Sequence, residues 1–184
     1  NAYTVSGGVE KLDDAGVRQY ITANDNRFRK RGLNCICIAD DGTHGYVGST
    51  NALWLDVAYK ENVFKISLAD GSVTNRAAVA PCAGIGPTSK WKVEDCCSDG
   101  DGGVYFAMGP CGVAHFDSSF SRLADVSCTA TGGDLRGDVA VCLDAAKNLY
   151  VAGSECEFTL DTGCVATWTV KKYSSAGTIL DGIN

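Results

Sequence analysis

Apolar and polar residues alternate with a period of two through much of this chain, and the alternation returns at intervals. Over residues 137–153, GDVAVCLDAAKNLYVAG, Val139, Val141 and Leu143 alternate with Ala140 and Cys142, as in a half-buried β-strand. Residues 144–148 supply a turn, 149–152 the return strand, and Gly153 its stop. A second hairpin follows at 170–173, with a turn at 174–177 and a return at 178–180. A middle copy reads 95–99 with 104–109, then 113–117 with 120–123. An earlier copy reads 35–40 with 46–48, then 63–67 with 73. The chain opens on half a copy, 9–17. Val9, Val63, Val113 and Val170 lie 54, 50 and 57 residues apart, and Asp40, Asp99 and Asp144 each precede a tyrosine (Tyr46, Tyr105, Tyr150) by six.

Two hairpins in succession make a four-stranded unit, and repetition near fifty residues marks a propeller or a linear array. The expected fold class is therefore all-β: a β-propeller-like array of four-stranded antiparallel blades, about three repeats, stapled by disulfides. Residues 1–184 form one domain, with repeats near 19–73, 74–123 and 124–180 and a partial repeat over 1–18. The recurring positions predict a core of Ile36, Ile38, Val47, Phe64, Ile66, Phe106, Val113, Phe116, Val141, Leu143, Leu149, Val151, Val170 and Tyr173. Residues 18–34, 49–62, 74–93 and 154–169 read as connections, with at most one helical turn at 53–59. The first connection holds Arg18, Arg27, Arg29, Lys30 and Arg31. That cluster suits acidic groups or glycans, though a solvated connection is the simpler reading.

Composition narrows the picture. Twenty-two glycines against three prolines suit tight turns between short strands, and a net charge of −6 argues against a nucleic-acid partner. No apolar run is long enough for a membrane-spanning helix. A chain that opens on Asn1 is processed, truncated or part of a longer sequence. The ten cysteines are Cys35, Cys37, Cys82, Cys96, Cys97, Cys111, Cys128, Cys142, Cys156 and Cys164. That density and even count predict disulfides and a secreted, extracellular protein. Zinc is the rival, but the spacings Cys35-x-Cys37 and Cys96-Cys97 and the presence of only two histidines do not fit its usual sites. Cys156 and Cys164 bracket a short loop that they could close. Vicinal Cys96 and Cys97 point to opposite strand faces and take different partners.

No nucleophile with a base is legible. There is no Gly-x-Ser-x-Gly elbow; His44 sits in a turn, and His115 stands where the other copies have Lys11, Lys65 and Lys172. The expectation is therefore a protein that is not an enzyme and has no resident cofactor. Asp99 and Asp101 in Asp-Gly-Asp-Gly-Gly invite a weak calcium reading, but Pro110 stands where a calcium loop needs Glu, and a plain turn is the simpler reading. No Asn-x-Ser/Thr site is present.

The run Val141 to Gly153, followed by Val170 to Gly177, resembles NHL-type and related bacterial β-propeller repeats. The middle copy keeps Tyr105 and Phe116-Asp117 but loses the lysine. The resemblance implies a scaffold that binds proteins, glycans or RNA, with a minority of metal-dependent enzymes whose histidines His44 and His115 do not reproduce. The expected function is an extracellular structural or assembly module, a subunit of a surface or filamentous assembly. Its partners are further copies or neighbouring subunits, because three periods do not complete a ring of four to eight blades. The alternative is a lectin-like module in which Trp54, Trp91 and Trp168 stack on sugar rings.

Overall fold

In the computed structural model, the described residues are 2–5, 8–21, 32–51, 61–79, 91–109, 112–123, 126, 134–135, 140–159 and 163–183, with side chains described over 8–19, 32–49, 61–79, 93–109, 112–123, 126, 140–153 and 168–180. Among them there is no α-helix, and every sheet is antiparallel. The chain divides into two compact units, Asn1–Val93 and Glu94–Asn184.

The first unit holds two sheets. Sheet A is formed by β1 (Ala2–Val5), β2 (Val9–Leu12) and β3 (Arg18–Ile21), in that order. Sheet B follows with β4 (Leu33–Ile38), β5 (His44–Asn51), β6 (Val63–Ser67) and β7 (Val73–Ala77), while β8 (Trp91–Lys92) pairs with the end of β5. Val9 of sheet A is fully buried in a cluster with Leu33, Val47, Phe64, Ile66 and Leu68 of the segment that forms sheet B. Lys11 Nζ donates to the Leu68 carbonyl oxygen at 3.0 Å.

The second unit repeats that plan. Sheet C is β9 (Asp95–Ser98), β10 (Val104–Ala107) and β11 (Val113–Phe116), extended by isolated bridges from Phe116 to Arg122 and from Val113 to Val126. Sheet D contains β12 (Asp134–Leu135), β13 (Ala140–Leu143), β14 (Leu149–Thr159), β15 (Gly163–Tyr173) and β16 (Ile179–Ile183). Tyr105, Ala107 and Val113 of sheet C, with Val126, pack against Val141, Leu149, Val151 and Tyr173 of sheet D. Asp95 accepts the Val141 amide at 3.0 Å, which ties the start of β9 to β13.

One turn design joins most of these strands. Its first residue accepts the amide of the residue three ahead on its carbonyl oxygen, at Asp13, Asp117, Asp144 and Ser174. The fourth residue is left-handed: Gly16, Gly102, Phe120, Lys147 and Gly177 all have φ between 62° and 87°. Asp13, Asp99, Asp117 and Asp144 each take two further amides of the loop on a carboxylate oxygen. A short acidic side chain at the head of a turn does this well, because it mimics the backbone it replaces. Sheet B uses turns one residue longer: the Ala39 amide reaches His44 O and the Ser67 amide reaches Ser72 O. Ala39, rather than Asp40, therefore stands where Asp99 and Asp144 stand.

Several expectations need correction. β14 does not stop at Gly153, and residues 154–169 are largely not a connection: β14 and β15 pair over eleven residues each. Alternation continues through that stretch, which is why it stays a strand. Cys156 pairs with Ala166, and Cys164 with Phe158, so the two cysteines lie diagonally, where Cα separations of roughly 7–8 Å are too long for an unstrained bridge. Residues 120–123 form a bridge rather than a full strand, and β8 has no counterpart in the sequence pattern, whereas β1 and β2 pair as a hairpin within residues 1–18, which the sequence reads as one. Leu143, Ile36 and Ile38 are only partly buried, and Val170 is 37% exposed. The one-turn helix at 53–59 lies outside the described residues.

Val151→Ala removes a side chain packed between sheets C and D. It should lower unfolding free energy by about 1–3 kcal/mol in urea titrations; an unchanged midpoint would contradict the pairing of Val151 with Val141 and Lys171.

Candidate interaction surface

The register of the strands brings three chemically distinct residues into one row in sheets B, C and D. Cys37 stands opposite Tyr46 and Tyr46 opposite Lys65. Cys97, Tyr105 and His115 repeat the row in sheet C, and Cys142, Tyr150 and Lys172 in sheet D. Residues opposite one another share a face, so each row runs along one face of its sheet together with the recurring valine: Val63, Val113 or Val170.

That face is buried in sheets B and C. Tyr46, Val63 and Val113 are 0% exposed and Tyr105 only 4%. In sheet C its cover is sheet D. In sheet D the equivalent face is open: Tyr150 and Ala152 are half-buried, Cys142 and Ala140 are exposed, and Val170 is 37% and Trp168 63% exposed. Trp168 lies two residues from Val170 on β15 and so on the same face. The same residue types are thus covered in one sheet and uncovered in the next.

Each row ends in a basic side chain against the tyrosine ring, joined in sheets C and D by an aspartate. Lys172 Nζ lies 5.2 Å from the Tyr150 ring centroid and 3.5 Å from Asp144 Oδ2. The Tyr150 hydroxyl donates to the same carboxylate oxygen at 3.3 Å. These neighbours, Tyr150 foremost, raise the Lys172 pKa. Hydrogen bonds from the Asn148 side chain and then from backbone amides hold the Asp144 carboxyl down to about 2. In sheet C the imidazole of His115 takes the lysine's place. It stacks on Tyr105 at 4.1 Å, and Nε2 lies 2.9 Å from Asp99 Oδ2. Burial first, then the charge of Asp99, pushes the Tyr105 hydroxyl upward. In sheet B Lys65 Nζ lies 5.7 Å from the Tyr46 ring.

The other residues singled out from the sequence do not converge. Trp54 and the side chain of Trp91 lie outside the described residues, so only Trp168 is placed as a stacking surface. His44 bonds to Thr43 at 2.7 Å and lies 3.4 Å from Asp41. Asp99 has one carboxylate oxygen on two loop amides and the other on His115, and Asp101 pairs with Lys147. Among the described residues no three acidic, histidine or cysteine side chains are grouped to hold a metal ion. Cys35, Cys37, Cys96, Cys97 and Cys142 are thiols. On their strands they stand opposite Gly48, Tyr46, Phe106, Tyr105 and Tyr150, not opposite another cysteine. The expected stapling of most or all ten cysteines is thus not shown at these five. Cys82, Cys111 and Cys128 and the side chains of Cys156 and Cys164 are outside the described residues.

Sequence spacing finds the tyrosines and the cations separately. The cysteines are legible only as a count, because the register that sets them beside the tyrosines depends on turn length.

No family model matches the sequence, and no curated protein does. Among solved structures, the chain is similar to PorZ, an essential bacterial surface component of the type-IX secretion system of Porphyromonas gingivalis, at a TM-score of 0.38 and 12% identity. The match covers 95% of this chain and 31% of that one, so the chain spans less than a third of the length of PorZ.

The low Asp144 pKa has a consequence in acid. A carboxyl held near 2 in the folded state and near its ordinary value when unfolded stabilises the fold above the unfolded pKa, and that contribution is lost as pH falls from about 4 toward 2. Thermal melts from pH 6 to pH 2 should show this loss in the parent and a shallower slope in Asp144→Ala. Parallel curves would mean that the carboxylate is not held as described.

Proposed function

We propose that the chain is an extracellular structural module, a β-propeller-like array that assembles by packing the open face of its last sheet onto another sheet of the same kind. The observation that carries this reading is the series Val9, Val63, Val113 and Val170: the first three are 0% exposed and the fourth 37%. In the second unit the covering surface for this face is a strip of Val141, Leu149, Val151 and Tyr173, so the chemistry expected of the partner is branched aliphatics with an aromatic. Burial of apolar area contributes roughly 25 cal/mol per Å², and the exposed Trp168 adds the kind of aromatic anchor that concentrates binding energy. The likeness of residues 141–153 and 170–177 to NHL-type repeats supports the scaffold reading. The cysteine content supports an oxidising compartment, with stapling left to Cys82, Cys111, Cys128, Cys156 and Cys164.

Light scattering across a concentration series tests the assembly. The native mass should rise above that of one chain, and Val170→Glu should return it to one chain with an unchanged circular dichroism spectrum. A single-chain mass at every concentration, with Val170→Glu indistinguishable from the parent, would end the self-assembly reading.

Exposure of Trp168 also favours a second reading, a glycan-binding surface. On that reading Trp168→Ala should abolish binding on a glycan array while leaving the native mass unchanged.

Thiol counting checks the compartment. With five cysteines as thiols and one or two bridges among the remaining five, alkylation of the unfolded, unreduced chain should label eight or six cysteines. Labelling of all ten would remove stapling and the extracellular reading with it; fewer than five would contradict the thiols described above.

A further inference from the structure

The strand register carries one apolar row across the open face of sheet D. Ala140 stands opposite Ala152, Ala152 opposite Val170, and Val170 opposite Ile183. The equivalent row of sheet C, Ala107, Val113 and Val126, is buried in the cluster shared with sheet D. In sheet D, Ala140 is exposed, Ala152 half-buried and Val170 37% exposed. On β15 Trp168 lies two residues to one side of Val170 and Lys172 two residues to the other, so all three share the face.

The other sheet faces offer a second copy little to pack there. Sheet B is buried on both sides, through Phe64 and Ile66 on one and Tyr46 and Val63 on the other. Sheet C is buried through Phe106 and Phe116 on one side and Tyr105 and Val113 on the other. The Val9 face of sheet A is buried as well. Its opposite face carries Glu10, Leu12 and Arg18, with Arg18 Nη2 3.1 Å from Glu10 Oε1. A polar outer face is what keeps a terminal repeat soluble. Among the described residues, the Val170 face is thus the apolar sheet face left for self-association.

We propose that two copies pair through this face about a two-fold axis along the row of Ala140, Ala152, Val170 and Ile183, giving a closed dimer and not a filament. The proposal rests on the self-assembly reading above and adds the partner's surface to it. A two-fold interface uses the same patch on both subunits, and this patch has the branched aliphatics and aromatics that such a face packs against. Charge selects the axis. Rotation about the row leaves Val170 opposite its own copy and exchanges the two ends of the strand, so Trp168 of each copy meets Lys172 of the other. An indole is the most favourable ring for a lysine ammonium. An axis along the strands would instead set Lys172 against Lys172, and like charges across an interface are penalised.

Sedimentation equilibrium of the full chain tests this. The parent should reach a plateau at the mass of two chains. Val170→Lys and Val170→Glu should each weaken pairing by at least about a hundredfold, because like charges then face each other across the axis. An equimolar mixture of the two variants should recover the two-chain mass. Arg18→Glu, on the outward face of sheet A, should leave the plateau unchanged. A parent mass that grows past two chains with concentration would overturn the proposal. So would a mixture that stays at one chain, or loss of pairing in Arg18→Glu with an unchanged circular dichroism spectrum. Each of these results leaves the parent associating, so self-assembly itself would stand. A parent that stays at one chain would end both.

Discussion

A sheet that is apolar on both sides has to be covered on both sides, and this structure is arranged around that requirement. Val9 and Val113 illustrate it. Each starts a strand that follows a hairpin turn, each is fully buried, and each sits in a cluster with residues of the sheet that follows. In sheet C the strip of valine and tyrosine is buried against sheet D. At sheet D, which no further sheet follows among the described residues, the same residue types meet solvent. The asymmetry comes from position in the series and not from composition, because Val170 and Val113 are chemically identical.

The loops make such stacking possible by being nearly uniform. An aspartate or serine at the head of the turn and a left-handed residue three positions later give a tight reversal that keeps consecutive strands in one register. Two of the left-handed positions are not glycine. Phe120 and Lys147 accept a backbone conformation that costs roughly 1–2 kcal/mol, and each makes a contact a glycine would lose. Phe120 stacks on Phe116 at 4.9 Å between ring centroids, and Lys147 reaches Asp101 in the turn of the neighbouring sheet. Gly48 has the opposite restriction. A Cβ there would lie 2.4 Å from a methyl of Val93 and 2.6 Å from the Cys35 sulfur, so the second strand of sheet B has no room for the alanines at the equivalent positions of sheets C and D.

Much of this architecture is legible in the sequence. Period-two alternation locates β2, β6, β9 to β11 and β13, and the spacing of Val9, Val63, Val113 and Val170 identifies equivalent strands without any contact being known. The limits have physical causes. Alternation reports that a strand has two different faces, not whether the apolar face is covered, so Val170 reads as a core residue. Glycine after an apolar run reads as a stop, yet Gly153 is an ordinary member of β14, paired with Thr169 of β15. Matching by counting sets Asp40 beside Asp99 and Asp144, whereas the longer turn of sheet B puts Ala39 there. The tyrosine rows follow from register, which a one-residue change in turn length resets.

The pairing of β14 with β15 bears on distance. Seven of its eleven paired positions, Gly153 to Thr159 on β14, continue beyond the last pair between β13 and β14, Ala140 with Ala152. At roughly 3.4 Å per residue that is a ribbon of about 24 Å, longer than the whole of a four-residue strand at about 14 Å. β12 braces only two of these positions. Ribbons of two strands twist more strongly than broad sheets, so the orientation of a group carried along this ribbon rotates with its distance from the root. Lengthening or shortening it by two residues would keep every side chain on its own face while changing both how far out and at what angle the tip is presented, making the ribbon a spacer adjustable in steps of about 7 Å.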